Sequence, residues 1–405
     1  MAKNSTNGTV SGLVNAAVDE QPLVKLVHKI IVDAVHMGAS DIHFEPYENL
    51  FRVRYRIDGV LYESAYPPLA LREKIASRLK IVAQLDIAEK RIPQDGHLRL
   101  EIAPGKLIDF RVSTLPTIAG EKVVLRILDR KVASLGIEML GLESFQQRMI
   151  VDALQRPHGL ILVTGPTGSG KTVSLYSCLK LLNDKERNIS TAEDPVEIPL
   201  SGINQVAINE KIGLSFSVAL RAFLRQDPDV IMVGEIRDYD TAEISIKAAQ
   251  TGHLVLSTLH TNDAPSAVTR LSSMGIPGYN VGDALLTIIA QRLVRKLCRS
   301  CKKLDQIEQQ ILLALGISKE AVINGWQPYR AVGCDLCHNT GYLGRVGVFE
   351  VMPITAALQH LILGNANSAQ IAQVARNEGL VNLRQSGLIK MSSGVSSLAE
   401  VLANT

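Results

Sequence analysis

Two domains are expected from the sequence, a small α+β domain followed by a larger α/β domain built on a parallel sheet. Three features lead to this. Beyond about residue 142, short apolar runs such as 160–164, 230–233 and 254–257 alternate with longer stretches at helical spacing, as in a parallel sheet covered on both faces. The first of these runs enters a glycine-rich loop that opens a helix. Upstream, one helical stretch is followed by short strand-like segments separated by Gly-containing turns. With 405 residues, 46% of them hydrophobic and 20% charged, the chain can bury a core in each of two or three domains.

Residues 1–21 are polar, rich in Gly, Ser, Thr and Asn, and without periodicity, so they read as a disordered leader outside the fold. The first domain is expected over 22–130. Leu23, Leu26, Val27, Ile30, Ile31 and Ala34 fall on one helix face, and Gly38 is placed to end that helix. Residues 41–45 look extended. Asp58-Gly59 between 50–55 and 60–64 marks a tight hairpin, because this dipeptide tolerates positive φ, and a β-meander begins there. A helix over about 69–85 precedes strands at 97–102, 107–113 and 122–128, the first turn being Pro104-Gly105. Residues 131–141 are expected to link this domain to the second, 142–405. The region from 266 onward, through 284–298, is expected to be mainly helical.

Gly165-Pro166-Thr167-Gly168-Ser169-Gly170-Lys171-Thr172 fits the phosphate-loop pattern G-x-x-x-x-G-K-[ST] after a buried strand and before a helix, which is the context that motif requires. Small residues let backbone N–H groups close around phosphate oxygens, and the helix N-terminus favours negative charge there. Lys171 would neutralise the β- and γ-phosphates of ATP, and the Thr172 hydroxyl would ligate Mg²⁺. A glycine-rich turn without ligand is the bland alternative.

Phosphoryl transfer also needs a carboxylate that orients water. One cluster, Thr191-Ala-Glu193-Asp194-Pro-Val-Glu197, supplies Glu193 and Asp194. The other, Gln226-Asp227-Pro-Asp229-Val-Ile-Met-Val-Gly234-Glu235-Ile-Arg237-Asp238, resembles an apolar Walker B strand ending in an acid. Gly234 stands where the Mg²⁺-associated aspartate is usual, which leaves the metal's carboxylate partner open. Glu235 is the candidate for activating water; a solvated loop carboxylate is the alternative for each acid taken alone.

Four of the five cysteines form two pairs, Cys298-x₂-Cys301 and Cys334-x₂-Cys337, separated by residues 302–333. Such pairs suit a tetrahedral thiolate site for Zn²⁺, with no ligand position left for water, hence a structural subdomain at about 295–345. Redox-active or merely buried cysteines are the alternative. Cys178, on the helix after the phosphate loop, reads as a small buried hydrophobe.

The formal charge of +3 and an aromatic content of 4%, with Trp326 the single tryptophan, give no bulk case for a nucleic-acid partner. No apolar run approaches the roughly 18–20 residues of a membrane span, and no secretory signal is visible, so a cytoplasmic location is expected.

Together these motifs resemble the secretion-superfamily ATPases of type II secretion and type IV pili, and most closely the PilB-like pilus-assembly motors, over about residues 22–400. The histidine box Thr251-Gly-His253-Leu-Val-Leu-Ser-Thr-Leu-His260-Thr-Asn and the tetracysteine insertion carry the resemblance along with the phosphate loop and both acidic stretches. It implies a RecA-like ATPase domain, a PAS-like smaller domain, and a homohexameric ring that drives an inner-membrane platform protein of the PilC type, with PilM-like proteins as further partners and peripheral association with the inner membrane. It further implies that Glu235 is the catalytic glutamate, that Glu193 and Asp194 form the acidic box, and that Arg111 and Arg126 reach the phosphates from the smaller domain. His253 and His260 become sensors of the γ-phosphate, and Arg221 and Arg225 match an arginine pair of less defined role. The tetracysteine set speaks against a retraction-type motor. An additional N-terminal domain usual in these proteins has no counterpart here, which implies a naturally short form or a truncated one. Type II secretion is the related alternative. A zinc-containing nucleic-acid translocase and a nucleotide-gated scaffold without useful turnover are alternatives of other classes.

Overall fold

A computed structural model describes residues 21–128 and 135–405. The expected leader lies outside the described residues except for Gln21, and so do residues 131–134 of the expected linker. The chain divides into two compact units at residues 129/130.

In the first unit, helix Gln21–His36 buries Val27, Ile30, Ile31 and Ala34. Strands β1 (Ala39–Pro46), β2 (Phe51–Ile57) and β3 (Val60–Ala65) precede helix Arg72–Val82, and β4 (Gln94–Ala103), β5 (Lys106–Thr117) and β6 (Gly120–Leu128) follow it. The sheet order β3-β2-β1-β6-β5-β4 is antiparallel throughout. It is therefore two three-stranded meanders joined where β1 pairs with β6, rather than one continuous meander. Asp58 and Gly59 turn the β2–β3 hairpin with φ of 49° and 88°, the positive values that the sequence requires of that dipeptide. One sheet face, with Ile42, Phe44, Val53, Phe110 and Leu125, shares a core with both helices. The other carries Asp41, His43 and Glu45 of β1, which the register sets opposite Arg56, Arg54 and Arg52 of β2.

The second unit is built on β7 (Gly159–Thr164), β8 (Ile189–Glu193), β9 (Asn204–Ala207), β10 (Val230–Val233), β11 (Leu254–Leu259), β12 (Leu285–Leu297) and β15 (Tyr342–Pro353), in the order β15-β12-β7-β11-β10-β8-β9. All neighbours are parallel except β12 and β15. Alternate residues of the central strands enter two different cores: Leu160, Leu162, Ile231 and Val233 on one face, Ile161, Val163, Val230 and Met232 on the other. This double burial is why these strands read as unbroken apolar runs. Ile137 and Leu140, within the stretch expected to be a linker, belong to the second of these cores.

One expectation is corrected. Helices Ala264–Ser273 and Gly278–Ala284 form, but 285–297 is a strand and not a helix. An apolar run of this kind does not distinguish the two by periodicity; Thr287, Ile288, Ile289 and Val294 are β-branched, and β7 and β15 satisfy both edges of the strand.

Candidate active site and metal centre

β7 ends at Thr164, and residues 165–170 turn into helix Lys171–Leu182, whose N-cap Gly170 has φ 91°. Glycine is required at 165 for space as well as for its φ of 150°. A Cβ there would stand 2.5 Å from Gln291 O and 2.7 Å from Ser169 Oγ. Pro166, Thr167, Gly168 and Thr172 are exposed, whereas Lys171 is buried. Its Nζ donates to Gly165 O at 2.8 Å and Pro166 O at 3.0 Å, so the ammonium lies inside the loop it is expected to serve. Burial lowers the Lys171 pKa; Glu235 opposes that shift and Arg292 adds to it. Ser169 Oγ is buried without a hydrogen-bond partner. A buried polar atom left unmet among the described residues, at the entrance to helix Lys171–Leu182, fits a site for phosphate oxygens.

Glu235 follows β10 and is 17% exposed at its side chain. Hydrogen bonds from Gly234 N to Ala192 O and from Ile236 N to Thr258 O fix the backbone on either side of it. Its Oε1 accepts from Arg237, and its Oε2 lies 3.4 Å from His260 Nε2. Arg237 Nη1 is 3.7 Å from Asp194 Oδ2. Asp194, Arg237, Glu235 and His260 thus form a row of alternating charge capacity across the carboxyl ends of β8, β10 and β11, the edge where ligands bind in open α/β sheets.

Glu193 is separate from that row. Buried at the end of β8, its carboxylate accepts from Tyr176 Oη at 2.5 Å, Thr191 Oγ1 at 2.6 Å and Gln205 Nε2 at 3.0 Å. Both oxygens are committed, so the geometry makes Glu193 an anchor between helix Lys171–Leu182 and the β8–β9 edge. Burial and this carboxylate together raise the Tyr176 pKa.

His253 is not among the residues gathered at the phosphate loop. It precedes β11, at the opposite end of that strand from His260, which puts it roughly 20 Å from the phosphate-loop edge at about 3.3 Å per residue. Its Nδ1 meets Ala248 O at 3.0 Å, a structural contact. Arg221 and Arg225 are both exposed, with Arg225 Nη1 donating to Arg221 O at 2.9 Å. Arg221 lies in helix Phe216–Phe223 and Arg225 past its end. In the first unit, Arg111 of β5 and Arg126 of β6 stand directly opposite one another, and Arg126 Nε donates to Asp41 at 3.0 Å. Sequence reasoning missed Arg237, Gln291 and Arg292 as site residues. Only the two-residue offset of Arg237 from Glu235 could have drawn attention to the first.

The four paired cysteines meet at one point. Cys298 and Cys334 sulfurs are 3.8 Å apart, Cys301 and Cys337 3.8 Å, and Cys334 and Cys337 3.7 Å. For Zn–S bonds of about 2.3 Å, the edge of a regular tetrahedron is roughly 3.8 Å, so the set fits Zn²⁺. N–H groups of Gly333, Cys334 and Gly341 point at these sulfurs at 3.2–3.3 Å. Burial works against the Cys337 thiolate, but the N–H groups of Cys334 and Gly341 and the neighbouring thiols bring its pKa down to about 7. Cys178 has no such surroundings; burial pushes its thiol up to about 12. Between the cysteine pairs, β13 (Lys303–Leu304) and β14 (Tyr329–Arg330) form a two-stranded sheet. Ile307, Leu315, Ile317 and Trp326 of this insertion pack on Met391, Leu398 and Val401 of the C-terminal helices.

The family described as "Type II/IV secretion system protein" matches residues 16–403. The type IV pilus assembly ATPase PilB of Pseudomonas aeruginosa is 56% identical over 387 residues, 96% of this chain and 68% of that protein. PilB of Myxococcus xanthus is 53% identical over 390 residues, covering 96% and 69%, so the chain spans about two thirds of the length of these relatives. The type II secretion system ATPase E of Vibrio cholerae is 46% identical over 388 residues, covering 96% and 76%. Among solved structures, the pilus retraction motor PilT with bound ADP superposes with a TM-score of 0.62 at 26% identity, covering 93% of this chain and 96% of that one. The Legionella pneumophila ATPase DotB superposes at 0.68 and 19% identity over 94% and 95%, a likeness of fold. With a phosphate loop, an acid-ended strand and a histidine loop on one sheet edge, the chain belongs to the type II/IV secretion system protein family.

Proposed function

We propose that the chain is the ATP-hydrolysing motor of a type IV pilus assembly machine. The observation that carries hydrolysis is the placement of Glu235 and His260 on the same sheet edge as the phosphate loop, with Glu235 within electrostatic reach of Lys171. Glu235 orients and deprotonates the attacking water, and His260 holds that carboxylate in place. Lys171 would leave the loop carbonyls for phosphate oxygens, and the Thr172 hydroxyl would hold Mg²⁺, which would supply charge neutralisation to bound ATP. Arg111 and Arg126 serve as fingers, a part worth about 10³–10⁵ in rate in phosphoryl-transfer enzymes. Zn²⁺ is structural. The higher identity to pilus-assembly relatives than to type II secretion relatives supports the pilus reading over the secretion one.

In this reading the working form is a homohexamer at the inner membrane, acting on a platform protein of the PilC type. Among the described residues no helix is long and apolar enough to cross a membrane, which agrees with peripheral association.

The test is ATP hydrolysis against protein concentration, with light scattering for mass, for wild type, Glu235→Gln and Arg111→Ala, with and without DNA. The motor reading expects turnover that rises with assembly, needs both residues and ignores DNA. Strong stimulation by DNA, or wild-type turnover in both variants, would overturn it.

A further inference from the structure

Arg292 belongs to none of the motifs above, yet it lies at their meeting point. Register places β12 Ala290 and β11 Leu259 both level with Thr164, so Gln291 within β12 stands level with Gly165 and His260, the residues just past the ends of β7 and β11. From β12, Arg292 reaches across the end of β7 to the loop after β11. Its Nη2 donates to Asn262 O at 2.9 Å and to Asn262 Oδ1 at 3.3 Å. Its Nη1 donates to Gln291 O at 3.1 Å, the same oxygen that a Cβ on Gly165 would strike. Two strand spacings are about 10 Å, so the guanidinium must lie over the first residue of the phosphate loop to make both bonds.

A second link runs beside it. Thr164 Oγ1 contacts Thr261 Oγ1 at 2.7 Å and accepts from Thr261 N at 2.9 Å. The segment His260-Thr261-Asn262 is therefore tied to the phosphate-loop edge at two successive residues, and its first residue faces Glu235. All three Arg292 hydrogen bonds go to neutral oxygens, and no ion pair joins it to a carboxylate among the described residues. Asp263 and Glu350 act on Arg292 from a distance and offset part of the cost of keeping a half-buried cation beside Lys171. The rest is met if the guanidinium holds something the chemistry needs.

We propose that Arg292 is a positioning residue of the ATPase site: it locks the loop bearing His260 to the phosphate loop, so that His260 is held against Glu235. This deepens the hydrolysis reading and rests on it. It takes the neutral oxygens of Asn262 and Gln291 as its partners, and His260 as the group through which it acts.

The test is steady-state hydrolysis, binding of a fluorescent ATP analogue, thermal melting and assembly by light scattering for Arg292→Gln, Arg292→Lys, His260→Ala and the double variant Arg292→Gln/His260→Ala. Arg292→Gln is expected to lower kcat about tenfold or more while the Kd of the analogue stays within about twofold. Arg292→Lys recovers part of that loss, because an ammonium can still donate to Asn262 O. The double variant is no slower than His260→Ala alone, since both changes remove one function. Strictly additive losses, a weakened Kd with kcat unchanged, a fall in kcat matched by a lower melting temperature in both Arg292 variants, or wild-type values throughout would each overturn the proposal. Glu235→Gln, run in parallel, separates the two levels. If it hydrolyses ATP like wild type, the site reading itself has failed, whatever Arg292 does.

Discussion

Glu235 Oε2 lies 3.4 Å from His260 Nε2, while the other oxygen of the same carboxylate is held by Arg237. The glutamate is thus steered from both sides, and its direction depends on residues from two different strand ends. Glu235→Gln keeps the shape and both neighbours but removes the base. Hydrolysis should fall by about 10²–10⁴, the usual share of a positioned general base, with binding of a fluorescent ATP analogue retained. His260→Ala should cost less in kcat and leave binding intact. Single-turnover hydrolysis alongside the binding assay checks both.

The four thiols predict one zinc per chain by native mass spectrometry. Structural zinc binding is worth about 10–16 kcal/mol near neutral pH, so Cys334→Ser or a strong chelator should unfold the insertion between the cysteine pairs. Trp326, the single tryptophan, packs against the C-terminal helices in that insertion. Its emission should shift to the red on metal removal and recover when zinc is returned.

Arg295, partly exposed, pairs with the buried Glu400: Nη2 and Nε of the arginine donate to Oε2 at 2.6 and 3.0 Å, and Arg295 N donates to Oε1 at 3.1 Å. The guanidinium also lies 4.0 Å from the Tyr342 ring centroid. Arg295→Ala leaves a buried carboxylate without its cation and should destabilise the second unit by about 3–5 kcal/mol, whereas a paired Arg295→Met/Glu400→Leu change should recover most of that. Urea denaturation of wild type and the two variants distinguishes the two outcomes.

In the first unit, burial would raise the Glu45 carboxyl pKa, but Arg54 and Lys122 bring it down to about 2. A folded pKa below the unfolded one gives stability that is complete above pH 4.5 and is lost as pH falls from there toward 2. Glu45→Gln removes this contribution. The variant should melt below wild type at neutral pH, and the gap should close on acidification across that window.

The legible parts of the sequence were those set by local chemistry. Asp58-Gly59 and Pro104-Gly105 announced their turns because only certain residues accept the backbone angles. The phosphate loop was legible because its glycines, lysine and threonine are contiguous, and the cysteine pairs because their spacing is that of metal ligands. What escaped was set by neighbours distant in sequence. The strand 285–297 looked helical because its partners, β7 and β15, lie more than a hundred residues before it and dozens after. The surroundings of Glu193 are of this kind: Tyr176 and Gln205, which hold its carboxylate, come from other elements of the unit. His253 and His260 are seven residues apart in one motif, but an extended strand separates them where a helix would have brought them together.

β12 is also a ruler. Gln291 underlies the phosphate loop and Cys298 begins the metal centre, seven residues and roughly 23 Å along one extended segment. Because side chains alternate, gaining or losing one residue in that span would turn every following side chain to the other face and carry Cys298 out of line. That span already contains a register shift, between Arg295 and Leu297. Changes of length there cannot be absorbed. The reverse holds a few residues on: Gly316 and Gly325 turn at positive φ with open space around them, so a fluorescent label or affinity tag spliced at either turn should leave both the hydrolytic edge and the metal centre in register.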